Sequence, residues 1–156
     1  MKIISIDPGF ERIGIAVLEK NQKENLLFSE CFKTKSSEKH EDRLFKIGQQ
    51  IDKIIKKYQP EYLVIEKLFF NTNQKTIIGV AEARGVILYQ ASLNGLKISE
   101  FTPLQVKVAV TGYGRSEKKQ VENMVSRILK MEPKKTSDDE FDAIALGLTF
   151  FAYYRN

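Results

Sequence analysis

The segment "IISIDPGFERIGIAV", residues 3–17, decides how the chain folds. It reads as an isoleucine-rich strand, a tight turn marked by Pro8 and Gly9, and a second strand that returns beside the first. Asp7 is the odd residue. It ends a strand whose other side chains call for a dry core, and a carboxylate buried there is costly unless something pairs with it.

Working outward, residues 2–7 and 13–18 are expected as strands, and residues 26–34 as a third that completes an antiparallel meander. The period then changes. Leu44, Ile47, Ile51, Ile54, Ile55 and Tyr58 recur at helical spacing, which predicts a helix over 40–58 stopped by Pro60. YLVIE, residues 62–66, is a short apolar run of the kind covered on both faces. Helix over 76–93, strand over 96–101, and helices over 104–110 and 117–130 follow, the last two parted by Gly112-Tyr113-Gly114. A final helix from about residue 139 to 154 starts after Thr136-Ser137-Asp138, which is good N-cap chemistry. The expected fold is α/β: a mixed five-stranded central sheet, first and fourth strands side by side, with helices on both faces. No repeat or linker divides the 156 residues, so residues 1–156 are expected to form a single domain.

Composition narrows the function. The one cysteine, Cys31, has no partner for an intrachain disulfide and is flanked by Leu27, Phe28 and Phe32, so it reads as a reduced, buried strand residue. The lone His40 reads as a surface residue. No secretory signal core or membrane-length apolar run stands out, and a cytoplasmic location away from membranes is expected. The net charge is +5, and residues 103–135 hold eight Lys/Arg against three acids, while the rest of the chain balances. Clustered cations of this kind suit a polyanion. GYGRSEKK lacks the Gly-Lys-Ser/Thr ending of a nucleotide-binding loop. An actin-like ATPase or sugar kinase would also need a second domain, for which the length leaves no room.

Four acids are badly placed for solubility alone. Asp7 ends the first strand and Glu66 ends YLVIE. Asp139 and Asp142, three apart, point from one face of the last helix, whose apolar remainder must pack on the sheet. Each has a structural explanation when taken singly, whether a turn cap or a favourable charge at a helix start. Converging, they would repel, and a hard divalent cation relieves that conflict. Two such ions about 4 Å apart activate water and stabilise the leaving oxygen of a phosphodiester.

IDPG with Gly14, IEK-x-F (65–69), EARGV (82–86), QVK (105–107), G-x-G-x-x-x-K-x-Q-V (112–121) and D-x-x-D-A-I-A (139–145) occur in that order across essentially the whole chain. This resembles the RuvC-type Holliday-junction resolvases, nucleases with a ribonuclease-H-like fold. The resemblance implies a homodimer that binds a four-way DNA junction and nicks two opposing strands symmetrically. It implies two Mg²⁺ ions, replaceable by Mn²⁺, and a branch-migration helicase complex as partner. Asp7, Glu66, Asp139 and Asp142 match the family's metal-binding catalytic carboxylates, and Lys107 and Lys118 match its basic residues beside the scissile phosphate. Phe69 matches an aromatic that stacks on bases near the junction centre; Phe70 is left open. Ser116 reads as an N-cap that would set Lys118 in a first helical turn, where phosphate is favoured. Arg115, Ser116 and Lys119 join Phe69, Lys107 and Lys118 as expected DNA contacts. Residues 76–93 resemble the family's dimer-forming helix, with Gly79, Ala81, Ala83 and Gly85 small enough for close packing. The alternative is a ribonuclease-H-like nuclease acting on RNA such as ribosomal RNA precursor, which would not be expected to carry the Phe69 loop with the two lysines.

Overall fold

The computed structural model describes residues 1–67, 74–131 and 136–154. Five strands, β1 (Lys2–Asp7), β2 (Arg12–Lys20), β3 (Glu24–Lys33), β4 (Tyr62–Glu66) and β5 (Lys97–Phe101), form one sheet in the order β3-β2-β1-β4-β5. β1, β2 and β3 pair antiparallel, whereas β1–β4 and β4–β5 are parallel. The helices are α1 (His40–Tyr58), α2 (Gln74–Leu93), α3 (Pro103–Thr111), α4 (Lys118–Ile128) and α5 (Asp138–Tyr153).

The strand residues that alternate in sequence divide two cores. Ile4, Ile6, Ile13, Ile15, Val17, Leu63 and Ile65 pack under α1 and α2, against Ile47, Ile51, Ile54, Ile55, Ala83 and Ile87. Ile3, Ala16, Leu18, Tyr62, Val64 and Phe101 pack under the other helices, against Val110, Val121, Val125 and the apolar length of α5. A fully buried isoleucine or leucine contributes about 1.5–3 kcal/mol, so this two-sided burial is what holds the central strands rigid. Helices cover both faces, and β1 and β4 are neighbours, as the patterning predicts. Among the described residues no helix is long and apolar enough to cross a membrane.

Element ends depart from expectation by a residue or two, and two departures have physical causes. α3 begins at Pro103 because Thr102 caps it, its side chain accepting from the Gln105 N–H while the Gln105 side chain accepts from the Thr102 N–H. α4 begins at Lys118 under a similar reciprocal cap from Glu117 and Gln120. Ser116 is therefore not the cap. Its hydroxyl donates to the Tyr113 carbonyl at 2.7 Å and shares a hydrogen bond with Thr111 Oγ1 at 2.6 Å. The side chain is only 2% exposed. Gly112 ends α3 in the left-handed region at φ 78°, a conformation that favours glycine. α5 starts as expected, with Ser137 and Glu140 capping each other.

Candidate active site

Alternation along β1 and β4 determines where the acids go. Ile4, Ile6, Leu63 and Ile65 face α1 and α2, so Asp7 and Glu66 face the opposite side with Ile3, Tyr62 and Val64. The parallel register pairs Ile6 with Ile65, which puts Asp7 and Glu66 one step further on as neighbours. Across β2, Asp7 pairs with Gly14, and Gly14 in turn pairs with Cys31 on β3. One row of the sheet thus reads Cys31, Gly14, Asp7, Glu66.

α5 lowers its first turn onto this row. A Cβ built on Gly14 would stand 1.9 Å from the carbonyl oxygen of Asp139, so only glycine lets the helix start approach β2 this closely. The two strands and the helix thereby bring all four acids into one electrostatic neighbourhood. Asp142, on the same helical face as Asp139, lines a cleft of about 230 Å³ with Glu66, Lys107, Lys118, Pro103, Val106, Val121 and Leu146.

The protein neutralises these charges in three different ways. Burial, then repulsion from Glu66 and Asp142 together with hydrogen bonding to Glu66, pushes the Asp7 carboxyl up to about 8. Burial also raises Glu66, opposed by the hydrogen bond from Asp7 and reinforced by the charge of Asp142. Asp142 accepts a hydrogen bond from Lys118 Nζ at 2.9 Å, with Asp138 3.5 Å from the same ammonium. Burial alone would lower Lys118, but these two acids outweigh it and hold the ammonium above its ordinary value. Asp139 Oδ2 accepts from Arg12 Nε at 2.8 Å and Nη2 at 2.6 Å. Burial would raise the Asp139 carboxyl, yet the arginine and the nearby Cys31 thiol leave it below the usual carboxylate range.

Two residues of this site escaped sequence reasoning. Arg12 follows from alternation on β2, which sets it on the same side as Gly14, Ala16 and Leu18, facing the acidic start of α5. Cys31, expected to be buried, is instead partly exposed, with its sulfur 3.4 Å from Asp139 Oδ2. Burial and that carboxylate raise its thiol above the ordinary value, so it stands as a neutral donor. His40, expected at the surface, is half-exposed but engaged: it pairs with Glu82 at 2.6 Å and packs on the Phe10 ring at 4.7 Å.

Of the expected DNA contacts, Lys107 and Lys118 line the acidic cleft. Arg115 and Lys119 are exposed on the turn before α4 and in its first turn, and neither forms an ion pair among the described residues. Ser116 is buried and its hydroxyl is spent within the turn, so it offers no surface to DNA in this conformation. Phe69 and Phe70 lie outside the described residues.

The donor set is all oxygen, which fits a hard divalent cation such as Mg²⁺ or Mn²⁺. Among the described residues no three His, Cys, Asp or Glu side chains already enclose an ion-sized point. Any ion held here would draw the rest of its ligands from water or substrate oxygens, as oxygen sites of open coordination do.

Comparison with known proteins agrees with this layout. The family profile "Crossover junction endodeoxyribonuclease RuvC" matches residues 3–150. The Halothermothrix orenii protein of that name is 44% identical over 156 residues, covering 99% of this chain and 94% of its own. Its Fusobacterium nucleatum counterpart is 41% identical over 150 residues, covering 96% of this chain and 79% of its own. Thermus thermophilus RuvC in complex with Holliday junction substrate superposes with a TM-score of 0.93 at 30% identity, over 98% of this chain and 94% of that one. The sheet order and helix layers are those of a ribonuclease-H-like fold. With a matching profile along nearly its full length and relatives above two-fifths identity, the chain belongs to the RuvC family of crossover junction endodeoxyribonucleases.

Proposed function

We propose that this chain, a crossover junction endodeoxyribonuclease, hydrolyses phosphodiesters of four-way junction DNA at the centre formed by Asp7, Glu66, Asp139 and Asp142, and does so in the cytoplasm with Mg²⁺. The observation that carries this reading is the convergence of two strand ends and one helix start. It gathers four carboxylates whose mutual repulsion the raised, neutral Asp7 carboxyl and two protein cations offset.

Asp7, Glu66, Asp139 and Asp142 would hold the divalent ion or pair of ions, with Mn²⁺ able to replace Mg²⁺. When bound, such an ion supplies a Lewis acid that lowers the pKa of a water and stabilises the leaving oxygen. To hold an ion, Asp7 would release its proton to solvent, leaving both strand carboxylates as oxygen acceptors. Lys118 lies within reach of both Asp142 and the cleft, where its ammonium, with that of Lys107, offsets phosphate charge. α4 presents Lys118 and Lys119 in its first turn, where the unpaired backbone N–H groups also favour phosphate.

Symmetrical nicking calls for two such centres. α2 exposes Ile78, Tyr89 and Leu93 on one side, and the face around Gly85 is open, with no atom within 4 Å of a built Cβ. This apolar stripe supports self-association through α2. The RNA alternative has less support, because the matching relatives are named for cutting DNA crossovers.

The test is incubation of the full chain with end-labelled substrates and Mg²⁺. Paired nicks at symmetrical positions of a synthetic four-way junction are expected, with little cutting of linear duplex of the same sequence. Equal cleavage of the linear duplex, or preferential cleavage of structured RNA, would contradict the proposal.

A further inference from the structure

Asp139 stands apart from the other acids in how completely one of its oxygens is used. Oδ2 takes Arg12 Nε at 2.8 Å, Arg12 Nη2 at 2.6 Å and the Cys31 thiol at 3.4 Å. No described side chain donates to Oδ1. Arg12 rises from the first residue of β2 and spans 127 residues of sequence to reach the first turn of α5. Its side chain is 51% exposed, against 24% for Asp139, so it is anchored at the guanidinium and open to solvent along the rest.

Hydrolysis has no need of an arginine on that oxygen. A guanidinium is always charged, and two N–H groups on one carboxylate oxygen make a strong, directional contact. A second cation entering beside it meets both an occupied ligand atom and like-charge repulsion. We propose that Arg12 is a resident counter-cation of Asp139 that competes with the divalent ion, so that the DNA-free centre takes up ions weakly. This rests on the reading of Asp139 as an ion ligand. The competition lies at Asp139 Oδ2, and Cys31 reinforces it by donating to the same atom. Lys118 has the corresponding place at Asp142, but it lines the substrate cleft, whereas Arg12 does not.

The test is Mn²⁺ binding to the DNA-free full chain, read by calorimetry and by the loss of the free-ion paramagnetic resonance signal. Arg12→Gln removes the charge, and binding is expected to tighten about three- to tenfold, the effect of one unit charge a few ångströms away in a partly screened site. Arg12→Lys keeps the charge and should stay close to wild type. Asp139→Asn should weaken binding. Unchanged or weaker binding in Arg12→Gln, with Asp139→Asn still impaired, overturns the role of Arg12 alone. Wild-type Mn²⁺ binding in Asp139→Asn overturns the ligand reading and the proposal with it.

Discussion

Asp7 and Glu66 end two adjacent parallel strands, one step past the Ile6–Ile65 pair, and burial beside Glu66 pushes the Asp7 carboxyl up to about 8. The strands' buried isoleucines fix the register, so the two acids cannot move apart without disturbing the core. Packing energy thus holds together two groups that electrostatics would separate.

The pH dependence of stability follows from this pair. Asp7 keeps its proton to about 8 in the folded protein, against an ordinary value of 3.8. Between those values the folded chain binds more protons than the unfolded one, so stability from this group is fully present below about pH 4 and falls as pH rises towards 8. Asp7→Asn removes this group's share of the dependence. With chelator present, the variant's unfolding free energy should gain on wild type steadily between about pH 5 and pH 8, by an amount on the order of a few kcal/mol at the upper end. A pH-independent difference would show that burial does not hold the Asp7 carboxyl above its ordinary value.

Gly14 sets the distance between α5 and the sheet. Gly14→Ala puts a methyl 1.9 Å from the Asp139 carbonyl oxygen, and the helix start must shift. A loss of about 1–3 kcal/mol is expected from such overpacking. Nicking should fall further than that loss explains, because Asp139 and Asp142 move with the helix.

Arg43 clamps the turn that follows Asp7. It is 7% exposed, donates to Thr34 Oγ1 at 3.0 Å and the Phe10 carbonyl at 3.4 Å, and lies 3.7 Å from the centre of the Phe10 ring. Arg43→Ala leaves those groups without their partner and should cost about 2 kcal/mol or more in urea unfolding. Junction cutting should also drop at temperatures where the variant stays folded, since the turn joins Asp7 to Arg12. Full activity in a destabilised variant would restrict Arg43 to a purely structural role.

How much was legible before the structure depends on the range of each interaction. Alternating isoleucines revealed the meander and the central strand pair, because period-two burial leaves a local trace. The helical spacing of Ile47, Ile51, Ile54 and Ile55 did the same for α1. Asp7 and Glu66 stood out because each breaks an apolar strand. By contrast, the Arg12–Asp139 contact joins residues 127 apart and leaves no local pattern. Cys31 reads as buried from its apolar neighbours, yet it lies on the strand side facing the acids. Ser116 has better N-cap chemistry than Glu117, but Thr111 and Tyr113 occupy its hydroxyl, leaving Glu117 to pair with Gln120. The stacking role expected for Phe69 falls in a segment outside the described residues.

The central claim is that the four acids form the hydrolytic centre, and its most direct test separates cutting from binding. Wild type, Asp7→Asn and Glu66→Gln are compared on one labelled four-way junction, with binding read by gel mobility and nicking read on denaturing gels with Mg²⁺. The account predicts junction binding close to wild type in both variants, with paired nicks reduced by about a thousandfold or more, the scale of losing an essential catalytic group. Paired nicks at wild-type rates in both variants would contradict it.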